Sequence, residues 1–149
     1  MMIPDFQDDG NLPPGIHRAT WAEVEQLFGF DAHRKRLLHG FRAMVTVLAA
    51  AGCKRVFLDG SFAGAKAIPS DFDALWDMQD VDLPRLYASE PLFWSLGAGR
   101  AAQKAKYLGE MFPADFIESS SGKTFLEFFQ IDKQTGSPKG IVEIDLGTL

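Results

Sequence analysis

Residues 55–77 restrict the fold of this chain more than any other stretch. Arg55 to Asp59 carries Val56, Phe57 and Leu58 in an unbroken apolar run, the pattern of a short strand buried on both faces. Gly60 to Ser70 then reads as a loop or a short turn of helix, ended by Pro69. Asp71 to Asp77 alternates, with Asp71, Asp73, Leu75 and Asp77 on one side and Phe72, Ala74 and Trp76 on the other. A strand with a mixed face follows. Aspartate is depleted in strands and like charges repel, so two acids on one strand face call for a reason.

The flanks supply helices and more strands. Residues 1–19, with Pro4, Pro13, Pro14, Gly10 and Gly15, read as an extended, irregular lead-in. Thr20 and Glu23 form a capping-box pattern, and Trp21, Val24, Leu27 and Phe28 share one helical face up to Gly29. A second helix is expected from about Asp31 to Ala51, with Leu37, Phe41, Met44, Val45 and Leu48 as its stripe. Asp82 and Pro84 open a helical stretch reaching about Met111, with a break near Pro91 or Gly97. Ala114 to Glu118 is read as a strand, Thr124 to Gln130 as a helix, Asp132 to Gly136 as a turn and Gly140 to Leu146 as a last strand. The expected order is α-α-β-α-β-α-β-α-β, a single α/β (α+β) domain over residues 1–149, with helices packed on a mixed central sheet.

Size and composition agree. A chain of 149 residues, 46% of them apolar, buries roughly two thirds of its unfolded surface and needs no disulfide. The net charge of −5 removes the general basic footprint of a nucleic-acid binder, although a local patch is still allowed. Cys53 is the only cysteine, which suits a reducing compartment. Met1 to Gly10 has no apolar signal-peptide core, and no run is long enough to span a membrane. The expectation is a cytoplasmic protein without a membrane partner.

The chemistry concentrates in Leu58-Asp59-Gly60-Ser61 and Asp71-Phe72-Asp73. Gly60 permits close backbone approach, and the amides and Ser61 hydroxyl of such a turn can hold phosphate oxygens. Asp71 and Asp73, on one strand face, make a platform for Mg²⁺, which takes one or two protein carboxylates plus substrate phosphates.

Gly60-Ser61 followed by Ser70-Asp71-Phe72-Asp73 resembles the signature of the nucleotidyltransferase superfamily, the polymerase-beta-like fold. Gly10-Asn11-Leu12-Pro13-Pro14-Gly15-Ile16-His17, Phe57 to Phe62 and Lys139 to Leu146 further resemble short bacterial and phage nucleotidyltransferase-like proteins. The resemblance implies a minimal nucleotidyltransferase fold with Mg²⁺ or Mn²⁺ as cofactor. It implies transfer of a nucleoside monophosphate from an NTP, ATP among them, to a hydroxyl on RNA (tRNA for instance), a protein or a small molecule. An acceptor hydroxyl attacks the α-phosphate and pyrophosphate leaves. Asp71 and Asp73 would be catalytic and metal-binding, and Gly60, Ser61 and Lys66 nucleotide-binding. Many minimal members carry arginines after Gly-Ser, whereas Phe62, Ala63 and Gly64 stand here and Lys66 is the nearby cation. The superfamily uses a third carboxylate on a later strand; Asp115 fits by strand order, with Glu143 and Asp145 as rivals. Some relatives in the superfamily are toxins or antitoxins, so a toxin–antitoxin or phage-defence role with a partner protein is implied as well. The alternative is a non-catalytic antitoxin, sensor or interaction protein on the same fold.

Other motifs give weaker signals. Ser121-Gly122-Lys123-Thr124 is half a P-loop, but Ile117 stands where the first glycine belongs. Gly97-Ala98-Gly99 lacks the third glycine of a dinucleotide fingerprint. His17, His33 and His39 lack metal-ligand spacing, Cys53 reads as a small buried residue, and His33 to Arg36 reads as a solvated helix end.

Overall fold

A computed structural model describes residues 3–59, 69–94 and 100–149. Among these, five strands form one mixed sheet in the order β1-β5-β2-β3-β4: β1 Gly15–Ala19, β2 Arg55–Asp59, β3 Phe72–Trp76, β4 Gly109–Pro113 and β5 Gly140–Asp145. β2 runs antiparallel to both neighbours, β3 and β5, while β1 with β5 and β3 with β4 are parallel pairs. The helices are α1 Trp21–Phe28, α2 Ala32–Ala50, α3 Leu83–Ser89, α4 Arg100–Tyr107 and α5 Phe125–Phe128. The protein is therefore of mixed α+β class, with helices packed on the sheet.

Local chemistry explains most boundaries. Thr20 Oγ1 accepts from the Glu23 amide at 3.2 Å and Glu23 Oε1 accepts from the Thr20 amide at 3.1 Å, so the capping box that starts α1 is complete. Asp31 caps α2 by accepting from the Arg34 amide at 2.7 Å. Asp82 caps α3, and Thr124 with Glu127 form a second capping box at α5.

The sheet is covered on both faces. Val56, Leu58, Phe72, Ala74, Trp76, Met111, Val142 and Ile144 point into the larger core, under α1, α2 and α3. Phe57, Leu75, Phe112 and Ile141 point to the other face, covered by Phe125 and Phe129 in and after α5. Each fully buried aromatic or branched side chain contributes about 2–3 kcal/mol. The alternation read in residues 71–77 thus sorts side chains between two real layers.

Four expectations need correction. The lead-in is not irregular throughout: Gly15–Ala19 forms β1, an edge strand hidden in the sequence by its mostly exposed residues. The helix expected to reach Met111 ends at Tyr107, where Leu108 turns the chain with φ of 70° and Gly109–Pro113 enters the sheet as β4. Ala114 to Glu118 is not a strand; beyond Ala114 it is an exposed turn, with an isolated bridge between Ile117 and Thr124. His33 to Arg36 is only partly solvated. The Arg34 side chain is buried, donates to the Phe28 carbonyl at 3.3 Å and lies over the Phe30 ring, 4.5 Å from its centroid.

Gly40 shows how tightly α2 meets α4. A Cβ there would stand 2.0 Å from the Tyr107 carbonyl oxygen, a backbone atom with no room to retreat. Alanine would gain roughly 1 kcal/mol of helix propensity. Overpacking of this kind costs about 1–3 kcal/mol, and more when backbone must move. Gly40→Ala is therefore expected to lower the thermal midpoint by several degrees despite the better helix former, as read by circular dichroism. A raised midpoint would show that α2 and α4 do not meet this closely.

Candidate functional site

The acidic pair of the sequence sits at one end of the sheet. Asp73 lies on β3, with Asp59 opposite it on β2 and Glu110 opposite it on β4. Paired residues on neighbouring strands point to the same face, so three carboxylates stand abreast across three strands. Asp71, two residues before Asp73, faces the same way just outside the strand. This face is the one filled further along by Leu75, Phe57 and Phe112.

Lysines answer the charge from two directions. Lys104 of α4 places Nζ 3.0 Å from Glu110 Oε1 and 3.4 Å from Asp71 Oδ2, one ammonium between two carboxylates. Lys139, just before β5, places Nζ 3.2 Å from Asp59 Oδ1; Asp59 itself is only 2% exposed. Burial pushes the Asp73 carboxyl up to about 6, and the charges of Asp71, Glu110 and Asp59 push the same way. Lys133 offsets this only in part.

Several sequence candidates fall elsewhere. Asp115 does not join the group. It lies exposed beyond the Pro113 end of β4, whereas Asp73 and Glu110 pair near the opposite end. The strand on which its assignment rested is displaced by five residues, and Glu110 occupies the position sought for Asp115. Glu143 also stays apart, bound by Arg18 at 3.2 Å and Arg55 at 3.3 Å. Asp145 caps the final turn through the Gly147 amide at 2.8 Å. Gly60, Ser61 and Lys66 lie outside the described residues, as does Gly97-Ala98-Gly99. At the half P-loop, the Glu118 carboxylate accepts from the Ser120 and Ser121 amides, so a carboxylate already takes the donors a phosphate would need.

Glu110, Lys104, Lys139 and Asp59 are the members of this constellation that the sequence reading left unassigned. Glu110 had little local signal, because neither it nor Gly109 favours a strand. The lysines had none, because each meets its partner only through tertiary packing.

Oxygen donors of this kind fit Mg²⁺ or Mn²⁺, which favour carboxylates over nitrogen or sulfur. Lys104 shows that a cation is accommodated between Asp71 and Glu110. Among the described residues, however, no three acidic, His or Cys side chains are grouped closely enough to hold an ion as they stand. Binding of an ion there would require the side chains to move.

The raised proton affinity of Asp73 has a consequence for stability. Its folded value, about 6, lies above the ordinary carboxylate value of 3.8, so the folded state holds the proton more tightly than the unfolded chain. Stability from this group is full below pH 4 and falls as pH rises through 6. Two pH units of such displacement correspond to about 3 kcal/mol at most. Asp73→Asn, in EDTA, is expected to stabilise the protein against urea at pH 8, with the gain shrinking toward pH 5. Equal stability of the two proteins at both pH values would mean that Asp73 is not held in a costly charged state.

No curated protein and no solved structure matches the sequence. The model of a family of unknown function, DUF6932, matches residues 4–145, the whole sheet and every carboxylate of the site. The chain belongs to the DUF6932 family.

Proposed function

We propose that this protein is a metal-dependent nucleotidyltransferase that moves a nucleoside monophosphate from an NTP to an acceptor hydroxyl. The observation that carries the reading is the register of β3 and β4, which sets Glu110 beside Asp73, with Asp71 on the same face. An Asp-x-Asp strand followed in the sheet by a strand bearing one more acid is the arrangement that the sequence resemblance implies, with Glu110 in place of Asp115.

On this reading Asp71, Asp73 and Glu110 would hold Mg²⁺ or Mn²⁺, which when bound neutralises the triphosphate and the charge that builds on the leaving pyrophosphate. Glu110 takes the proton of the acceptor hydroxyl as that oxygen attacks the α-phosphorus. The bond from the α-phosphorus to the α–β bridging oxygen breaks and pyrophosphate leaves. Positioning and charge stabilisation supply most of the rate. Gly60, Ser61 and Lys66 are the proposed contacts to the NTP phosphates. The acceptor is RNA, a protein or a small molecule.

A cytoplasmic setting goes with it. Among the described residues no helix is long and apolar enough to cross a membrane. The Cys53 thiol is buried, and burial pushes it up to about 11, so it stays an inert thiol. The second reading is a non-catalytic antitoxin, sensor or interaction protein. One observation favours it: lysines already neutralise Asp71, Glu110 and Asp59.

Incubation with each α-labelled NTP, Mn²⁺ and cell extract separates the two. Label is expected to move to a macromolecule or small acceptor, and Asp71→Asn, Asp73→Asn and Glu110→Gln are each expected to lower transfer at least a hundredfold, roughly 3 kcal/mol of transition-state stabilisation. Asp115→Asn is expected to transfer at the unaltered rate. Folded protein that moves no label from any NTP favours the non-catalytic reading, and loss of transfer in Asp115→Asn alone returns the third acid to Asp115.

A further inference from the structure

We infer that Lys104 is a built-in counter-cation of the acidic site, and that a divalent ion must displace its ammonium to bind. The inference rests on the metal-site reading above and concerns how that site is regulated.

Three observations carry it. First, the ammonium lies between two of the three carboxylates assigned to the ion, at 3.4 Å from Asp71 and 3.0 Å from Glu110. An ammonium is a compact point charge, so it answers the same electrostatic demand as a small metal cation. One ammonium and one hydrated divalent ion cannot share that space. Second, the sheet register sets Glu110 beside Asp73 on the next strand, so one partner of the ammonium neighbours the central acid of the group assigned to the ion. Third, the Lys104 side chain is free to leave while its backbone is not. It is 48% exposed, so its stem can swing into water. Its neighbour Gln103 is fully buried, donating to the Leu92 carbonyl at 3.0 Å and accepting from the Met111 amide at 2.9 Å. The helix is thereby pinned to β4 one residue from each partner of the ion pair.

The arrangement has two effects. Without metal, Lys104 reduces the repulsion among Asp71, Asp73 and Glu110 and keeps the fold stable. With metal, the same contact is a competitor that weakens binding, and the released ammonium remains beside the site. Arginine in this position would compete more strongly, because its fork can engage both carboxylates with directed hydrogen bonds.

The test is Mn²⁺ binding to the full chain, without nucleotide, by titration calorimetry and by the loss of the free-ion electron paramagnetic resonance signal. Lys104→Met is expected to bind Mn²⁺ about tenfold more tightly than the unaltered protein, and Lys104→Arg no more tightly. In EDTA, Lys104→Met is expected to melt below the unaltered protein, and saturating Mn²⁺ is expected to close the gap. Lys104→Gln repeats the measurement if the Met variant does not fold. Unchanged or weaker Mn²⁺ binding by the charge-removing variants, with binding still abolished by Asp73→Asn, overturns the role of Lys104 and leaves the metal site standing. Absence of Mn²⁺ binding in the unaltered protein and in the Lys104 variants alike overturns both.

Discussion

Repulsion among carboxylates set side by side on adjacent strands is the constraint that the surrounding structure has to meet. Asp59, Asp73 and Glu110 are fixed by sheet register, and no local adjustment can separate them without slipping a strand. A one-residue slip would send the apolar residues of that strand to the wrong core. The hydrophobic layers and the acidic row are therefore locked together: Phe72, Ala74 and Trp76 on one side hold Asp73 and Leu75 on the other. The charge is then offset from outside the strands, by Lys104 from α4 and Lys139 from the segment before β5. Among the described residues no salt bridge reaches Asp73, and burial first, then the neighbouring carboxylates, raises its proton affinity.

The other end of the same face makes an instructive contrast. There Glu143 is held by Arg18 and Arg55, and Arg55 also donates to Asp77 Oδ2 at 2.7 Å. The hydrogen bond to Asp77 raises the proton affinity of the Arg55 guanidinium, the signature of a satisfied pair. Guanidinium forks of this type fix geometry. The two ends thus use different cations for different purposes. Arginines tie β1, β2 and β5 together at one end, whereas the half-exposed Lys104 and the more buried Lys139 sit over the acids at the other.

How far the sequence revealed this depends on the residue. β2, β3 and α2 were legible because their patterns are strong and local: a continuous apolar run, an alternating one, a long stripe. Asp71 and Asp73 were legible as acids sharing one face because side chains two residues apart on an extended chain point the same way. β1 was not, since an edge strand with exposed Gly15, Ile16 and Arg18 offers no alternation to detect. β4 was misplaced because Ala101 to Tyr107 reads as a helix and the following Met111 and Phe112 extend its apolar content. The helix is stopped by Leu108, a residue whose left-handed backbone no propensity scale anticipates. That one error in phase put Asp115, rather than Glu110, on the strand expected beside Asp73. The lysine partners were invisible for a different reason: Lys104 and Asp71 are brought together only by the β3-to-β4 crossover.

That crossover also explains why the site is well placed although it is assembled from distant segments. A parallel β3–β4 pair requires a connection that leaves one end of the sheet and returns at the other. Here α3, a short 3-10 helix at Pro91–Trp94 and α4 make the journey. Two buried polar groups fix its return. Glu90, nearly inaccessible to solvent, accepts from the Tyr107 hydroxyl and from Lys106, and so holds the end of α4 against the end of α3. Gln103 then spans from the Leu92 carbonyl to the Met111 amide. Buried amides and carboxylates hold only when their partners are in place, because an unmade bond there costs about 1–3 kcal/mol. Both clamps consequently select one seating of α4 on β4. Lys104 follows Gln103 and Glu110 precedes Met111, so the clamp that seats the helix also sets the distance between the ammonium and the outer carboxylate of the site.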